Sequence, residues 1–209
     1  KNFCSIFFNQ GNLFSPLLPQ VKERFQSGKG DELGSEGIGD IASACGASGG
    51  ITEMHFEQTR PTILGGIPPH LDVEFSGNKL KPLAIESKFT EPYHRRTKRT
   101  IKDKYLNEPG LWARLPMCEK LVRLIREEEQ GRTSFTYLDV PQLLKHILGL
   151  SYVFGPTDFE LLYLWYESPS EEAKKHRGEL DNRQIHTGGY SGFSVMTYQE
   201  LFAAIRECH

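Results

Sequence analysis

The chain has 209 residues, enough for one domain or for one domain with an added lobe. Hydrophobic residues make up 38% and aromatic residues 11%, which is sufficient for a packed core, and the formal net charge is −2. A charge so close to zero excludes a uniformly basic nucleic-acid coat, although it allows one basic face. No apolar run is long enough to span a membrane and no signal-peptide pattern opens the chain, so we expect a cytoplasmic protein.

The chain begins with helix-like patterns. Residues 4–27 have apolar positions at helical spacing, interrupted by Pro16 and Pro19. The Gly- and Ser-rich stretch 28–50 has room for one short helix around 35–45. We therefore expect a helical N-terminal segment, 1–50, before the first strand.

Three strand-like segments follow. Residues 51–59 and 69–77 alternate polar and apolar side chains, and 81–89 is a mostly apolar run. The sequence "SGNKL" at 76–80 is typical of a hairpin turn, so the second and third segments are predicted to be neighbouring antiparallel strands.

The second half of the chain alternates helices and strands. One helix is predicted at about 117–130, and another begins near Asp139, which is a plausible N-cap. Residues 158–168 are apolar enough for a central strand that is covered on both faces. A strand and a helix end the chain, with Thr197 and Glu200 at capping-box spacing. This order predicts a mixed α/β fold, with a central sheet flanked by helices.

The four cysteines are scattered along the chain, at Cys4, Cys45, Cys118 and Cys208, and form no CxxC pair. Structural zinc sites and disulfide frameworks both need closer spacing. We therefore predict reduced thiols.

Three charged side chains on the predicted hairpin are not explained by packing. Glu86 and Lys88 are two positions apart on the third strand, so they share one face, and Asp72 lies on the neighbouring strand. Two carboxylates from adjacent strands suit Mg²⁺ or Mn²⁺, and the main-chain carbonyl of Ser87 could be a further metal ligand. A lysine beside them can position an attacking water and balance the charge of a phosphate. The pattern favours phosphodiester hydrolysis.

Asp72, thirteen intervening residues and then Glu86-Ser87-Lys88 at the end of an apolar strand resemble the PD-(D/E)XK nuclease superfamily, which contains many restriction endonucleases and DNA-repair nucleases. The wording "PPHLDVEF" and "AIESKFTEPY" is similar to a bacterial branch with a restriction-endonuclease-like fold. The resemblance implies a core of helix, three-strand meander, helix and strand, with 1–209 as a single nuclease domain. It also implies that Asp72 and Glu86 bind the metal and that Lys88 is the catalytic base or an electrostatic stabiliser.

The chain departs from the pattern of this superfamily at two positions. Leu71, not proline, precedes the aspartate. The additional upstream glutamate of the superfamily has two candidates, Glu57 on the first strand and Glu36 in the possible short helix. We favour Glu57 as a further metal ligand because a neighbouring strand would bring it near Asp72.

The stretch after the third strand is strongly basic, with six Lys or Arg residues between 93 and 105. Neutralisation of phosphates by such residues is the main source of non-specific DNA affinity, although a solvated helix would carry the same charges. The predicted nucleic-acid contacts are His94, Arg95, Arg96, Lys98 and Arg99.

The chain also contains several histidines and a glutamine of types that occur in such sites. Of His55, His70, His94 and His146, only His94 is near enough to the predicted site in sequence to be of interest. Gln142, on the helix after the basic stretch, could contact phosphate or orient a metal ligand.

An acid-x-lysine triplet alone is weak evidence, since Glu172-Ala173-Lys174 has the same spacing in a polar, helix-like stretch. Glu86 and Lys88 could also be an ion pair on an exposed sheet face of an interaction protein. A nuclease fold that has lost catalysis would still bind nucleic acid. We predict a Mg²⁺- or Mn²⁺-dependent nuclease that acts on DNA rather than RNA, with no membrane partner, and we leave homodimer formation open.

Overall fold

The computed structural model describes residues 35–46, 51–78, 81–89, 93, 101–107, 115–181 and 192–207. The strands are β1 (Ile51–Thr59), β2 (His70–Gly77), β3 (Leu83–Lys88), β4 (Glu160–Trp165) and β5 (Phe193–Thr197). The α-helices are α1 (Ser35–Ala44), α2 (Pro116–Glu129), α3 (Val140–Phe154), α4 (Glu171–Leu180) and α5 (Tyr198–Glu207), and a 3-10 turn occupies Asp103–Tyr105. The helix expected at 4–27 lies outside the described residues.

The strands form one mixed sheet in the order β1-β2-β3-β4-β5. β2 is antiparallel to both β1 and β3, whereas β4 is parallel to both β3 and β5. A parallel pair needs a crossover connection, and α2 and α3 lie in the connection from β3 to β4. These findings confirm the predicted mixed α/β fold with a three-strand meander, which is consistent with a restriction-endonuclease-like fold.

Helices cover both faces of the sheet. On one face, α2, α3 and α4 pack on a core that includes Ala84, Tyr163 and Trp165. On the other face, α1 and α5 pack on a core that includes Ile85 and Leu164. The interior position of β4, between β3 and β5, and the helices on both faces explain why residues 161–165 are buried without alternation, as predicted for a strand covered on both sides.

The predicted helix starts at α3 and α5 are confirmed by side-chain hydrogen bonds. Asp139 Oδ1 accepts a bond from the Gln142 amide at 3.0 Å. Thr197 Oγ1 accepts from the Glu200 amide at 3.1 Å, while the Glu200 carboxylate accepts from the Thr197 amide at 2.6 Å. Each pair satisfies amides that the first helical turn leaves without intrahelical partners.

The helices and the cysteines have two further properties. No helix in the described ranges is both long enough and apolar enough to cross a membrane. Cys45 and Cys118 are buried free thiols, and burial raises the pKa of Cys45 to about 12 and the pKa of Cys118 as well. Such thiols are unreactive. Cys4 and Cys208 lie outside the described residues.

Candidate active site

The antiparallel pairing of β2 with β3 brings the two strands of the predicted site together. Val73 is opposite Ile85, and Glu74 is opposite Ala84. Just beyond this paired region, the backbone amide of Ser87 donates a 2.7 Å hydrogen bond to Asp72 Oδ2. The carboxylate of Asp72 is therefore tied to the middle residue of the Glu-Ser-Lys triplet.

The backbone N–H and C=O groups of Ser87 point toward the strand that carries Asp72. The carbonyl of Lys88 accepts a 2.9 Å bond from the Tyr166 amide, so the polar backbone groups of Lys88 point toward β4. Because successive residues of a strand turn their backbone groups to opposite sides, the N–H and C=O of Ser87 both point toward β2. The Ser87 carbonyl is thus directed to the side on which Asp72 lies.

Glu86 and Lys88 form a buried pair. Their residues are only 2% and 9% exposed, and Lys88 Nζ donates to Glu86 Oε1. This burial excludes the alternative of an ion pair on a solvated sheet face. Gln142 Nε2, from α3, donates to the same oxygen at 2.8 Å, so Gln142 orients a candidate ligand, one of the two roles considered for it.

His146 reaches the other oxygen of the same carboxylate. Its ring is fully buried, and its Nε2 lies 3.1 Å from Glu86 Oε2. Gln142 and His146 are four residues apart on α3, so they share one face of that helix. The sequence context of His146 gives no sign of this contact, because the packing of α3 on β3 and the spacing of His146 from Gln142 bring the ring to the site.

The two carboxyl groups of the site have opposite pKa shifts. Burial, the charge of Glu86 and a smaller effect of Glu57 raise the pKa of Asp72 to about 7, against the lowering effects of the Ser87 amide and Lys88. Burial alone would also raise the pKa of Glu86, but the adjacent His146 ring and the Lys88 ammonium group outweigh it and lower that pKa to about 2. Divergent pKa values in neighbouring carboxyls are typical of functional sites.

Glu57 lies across from Asp72 on β1. Its neighbours Phe56 and Gln58 pair with Val73 and Leu71, respectively, on the two sides of Asp72. Glu57 has a backbone φ of +52°, and it is the one non-glycine residue with positive φ in the described part of the chain. Such backbone strain clusters at functional sites. Between the two upstream candidates, the side chain of Glu36 in α1 is outside the description.

The predicted nucleic-acid contacts His94, Arg95, Arg96, Lys98 and Arg99 lie outside the described residues. Two lysines farther along the basic stretch are described. Lys104 Nζ donates to the carbonyls of Leu64 and Gly65 at 2.6 and 2.9 Å, whereas Lys102 is exposed. Lys104 therefore holds the 60–69 loop in place and is a structural residue.

The donor set is compatible with a hydrated divalent cation. Among the described residues, no three His, Cys, Asp or Glu side chains form a group that could hold a metal by themselves. Mg²⁺, however, commonly takes one or two carboxylates and keeps several waters, which matches Asp72, Glu86 and a carbonyl. The raised pKa of Asp72 indicates that a negative charge there lacks compensation, which a cation would supply.

Residues 12–209 match the family described as Restriction Endonuclease associating with ARP, or REase-ARP. The chain belongs to this family. Neither a curated protein nor a solved structure matches the chain. The REase-ARP match spans all five strands, so it includes Asp72, Glu86, Lys88 and the α3 residues that contact them.

Proposed function

We propose that this REase-ARP chain is a metal-dependent nuclease of the PD-(D/E)XK type that hydrolyses phosphodiester bonds in DNA. The observation that carries the proposal is the bond from the Ser87 amide to Asp72, which places that carboxylate beside the buried Glu86–Lys88 pair. The family description names a restriction endonuclease and supports the same class of reaction.

Asp72, Glu86 and the Ser87 carbonyl would hold Mg²⁺ or Mn²⁺, with Glu57 as a candidate for a further contact across β1. The ion, when bound, would supply Lewis acidity at the phosphate and lower the pKa of a bound water. Asp72 would bind it in the ionised form, which the ion itself favours by neutralising the adjacent carboxylates.

Lys88 is the cation that the chain itself provides at this site. Its ammonium group donates to Glu86 Oε1, and from that position it would orient the attacking water and stabilise the negative charge that develops at phosphorus. Gln142 bonds the same oxygen at 2.8 Å, so Glu86 keeps a hydrogen-bond donor when Lys88 turns to the substrate.

The basic segment after β3 would hold the DNA backbone, through His94, Arg95, Arg96, Lys98 and Arg99. Residues on both sides of it are anchored in the protein. The hydroxyl of Tyr93 donates to the Tyr166 carbonyl at 2.7 Å, and Ile101 is buried in the core. Because the segment follows the strand that carries Glu86 and Lys88, its charges would lie beside the scissile phosphate, and the DNA affinity should fall with salt.

The deciding experiment is cleavage of plasmid, linear and branched DNA in EDTA, Mg²⁺ and Mn²⁺ by the wild type, Lys88→Ala and Lys174→Ala. Lys174 is a matched control because it ends the other acid-x-lysine triplet and its side chain is 73% exposed. We expect metal-dependent cutting by the wild type and by Lys174→Ala, reduced at least about 100-fold in Lys88→Ala.

Full activity of Lys88→Ala would contradict the mechanism. A wild type that does not cut, but whose melting temperature rises with Mn²⁺, would favour a nucleic-acid-binding module with a silent site. Absence of both cutting and a metal effect on melting would contradict the nuclease proposal altogether.

A further inference from the structure

We propose that His146 is a positioning residue for the metal site, whose ring fixes the orientation of the Glu86 carboxylate and thereby sets the affinity for divalent cations. The inference rests on the proposed function, since it takes Asp72 and Glu86 to be the residues that hold the ion. It concerns a residue that the superfamily resemblance does not assign.

The surroundings of His146 explain why a polar partner is needed. The residue is fully buried, and its neighbours on α3, Leu143, Leu144 and Ile147, are buried apolar side chains. A polar ring in such a core costs free energy unless it interacts with another polar group. Glu86 Oε2 lies 3.1 Å from His146 Nε2 and is the partner that the structure provides.

His146 Nε2 and Glu86 Oε2 lie close together but do not form an aligned hydrogen bond. Within the described part of the chain, Glu86 Oε2 and both ring nitrogens of His146 lack an aligned hydrogen bond. Buried groups in this condition are rare in native proteins and call for an explanation, such as a catalytic role or a bound ion or water. The 3.1 Å separation is within hydrogen-bond distance, so only the relative orientation of the ring and the carboxylate departs from an aligned bond.

One helix therefore contacts both oxygens of Glu86. Gln142 bonds Oε1, and His146 lies against Oε2, one helical turn farther along α3. The helix is itself fixed in place, because a Cβ atom added at Gly149 would lie 2.6 Å from the carbonyl oxygen of Arg60. Residues that orient a metal ligand in this way commonly change metal affinity by about 10–100-fold when they are replaced.

The competing arrangement is direct coordination by the ring. Two atoms that are 3.1 Å apart could occupy adjacent positions around one cation. Imidazole binds Mn²⁺, a transition-metal ion, better than it binds Ca²⁺, which takes oxygen ligands. If His146 acts by positioning Glu86, its replacement should lower the affinities for Mn²⁺ and Ca²⁺ alike. If His146 coordinates the ion directly, its replacement should lower the affinity for Mn²⁺ selectively.

The test is the affinity of the full chain for Mn²⁺ and for Ca²⁺, measured by calorimetry without DNA. His146→Leu removes the donor while keeping an apolar side chain of similar size, and His146→Gln keeps an N–H at the reach of Nε2. We expect His146→Leu to lower the affinity for both ions by about 10–100-fold. The affinities of His146→Gln should stay within about threefold of those of the wild type.

His176→Leu is the matched control. His176 is also fully buried, and its contacts include the Tyr163 hydroxyl at 3.2 Å and the ring of Trp165. Its replacement should lower stability and leave the affinity for Mn²⁺ unchanged. His146→Asn replaces His146→Leu in the test if His146→Leu does not fold, because the shorter Asn amide does not reach Glu86 Oε2. The His146→Asn protein should bind both ions more weakly than the His146→Gln protein.

The outcomes separate the inference from the function on which it rests. Unchanged Mn²⁺ and Ca²⁺ affinities in His146→Leu, or equal affinities in His146→Asn and His146→Gln, would overturn the positioning role. A loss confined to Mn²⁺ would overturn it in favour of direct coordination. A wild type that binds neither ion would count against the proposed metal-dependent nuclease itself.

Discussion

The chain contains the acid-x-lysine triplet twice, and the two copies lie in opposite structural environments. Glu86-Ser87-Lys88 lies on β3, where residues two apart share a face, and its acid and lysine bond to each other in a buried position. Glu172-Ala173-Lys174 lies on α4, where residues two apart point in different directions. There the lysine bonds Glu171 instead, at 2.6 Å on an exposed surface.

The difference between the two copies shows that burial beneath another element, rather than the sequence of the triplet, decides the role of a charged pair. Exposed ion pairs of the α4 kind contribute about 0–1 kcal/mol or nothing measurable to stability. The β3 pair lies beneath α3, which contacts the Glu86 carboxylate through Gln142 and His146. Buried charges persist only when such partners compensate for the lost water.

The largest contrast is expected when the acid of each triplet is neutralised. Glu86→Gln should reduce metal-dependent cleavage at least about 100-fold, because it removes a charged ligand, while Glu172→Gln should leave cleavage unchanged. Plasmid cleavage measures the loss of activity, and the rise of the melting temperature in Mn²⁺ measures the loss of metal binding. Equal behaviour of the two variants would show that the burial of the β3 copy carries no catalytic meaning.

The helices beside the two triplets should respond differently to added bulk. Gly149→Ala in α3 should destabilise the protein by roughly 1–3 kcal/mol, since the new Cβ would lie 2.6 Å from the Arg60 carbonyl oxygen. Gly178→Ala in α4 has nothing within 4 Å of its Cβ and should stabilise by about 0.5–1 kcal/mol through helix propensity. Urea unfolding measures both, and a stable Gly149→Ala would contradict the tight packing of α3.

The stability of the metal-free protein should depend on pH through Asp72. Its pKa rises from the ordinary 3.8 to about 7 on folding, so the folded state holds the proton more tightly than the unfolded state does. Stability should therefore fall as pH rises from about 4 to about 7. Asp72→Asn in EDTA should equal the wild type near pH 4 and exceed it at pH 8, as judged by urea midpoints.

Glu86 should show the opposite sign. Its pKa falls from the ordinary 4.5 to about 2 on folding, so its contribution to stability is present above about 4.5 and is lost as pH falls toward 2. Glu86→Gln should be less stable than the wild type at pH 7 and approach it in acid. The same sign for both variants would contradict the opposite pKa shifts of the two carboxyls.

The smallest effect is expected on the far face of β3. The Ser87 hydroxyl bonds the buried Tyr198 hydroxyl at 2.6 Å, on the face opposite Glu86 and Lys88. Tyr198→Phe removes this bond and should cost about 0.5–1.5 kcal/mol in urea unfolding, with most of the cleavage retained. A loss of cleavage as large as that of Glu86→Gln would show instead that Tyr198 controls the geometry of the triplet backbone.

Local chemistry was enough to predict the meander and the central triad of residues. The period of two in a strand puts Glu86 and Lys88 on one face, and the predicted hairpin makes the strand of Asp72 their neighbour. The helix starts at Asp139 and Thr197 followed from capping chemistry within four residues. These features depend on contacts that are close in sequence, so the sequence by itself determined them.

Only the tertiary structure decided what surrounds the triad. His146 meets Glu86 because α3 packs on β3 from sixty residues farther along the chain. Likewise, Lys104 is tied to the 60–69 loop, although its neighbours in sequence made it resemble part of a basic binding segment. The partner of a polar side chain on another element depends on how a helix settles on the sheet, and no local pattern of residues encodes that placement.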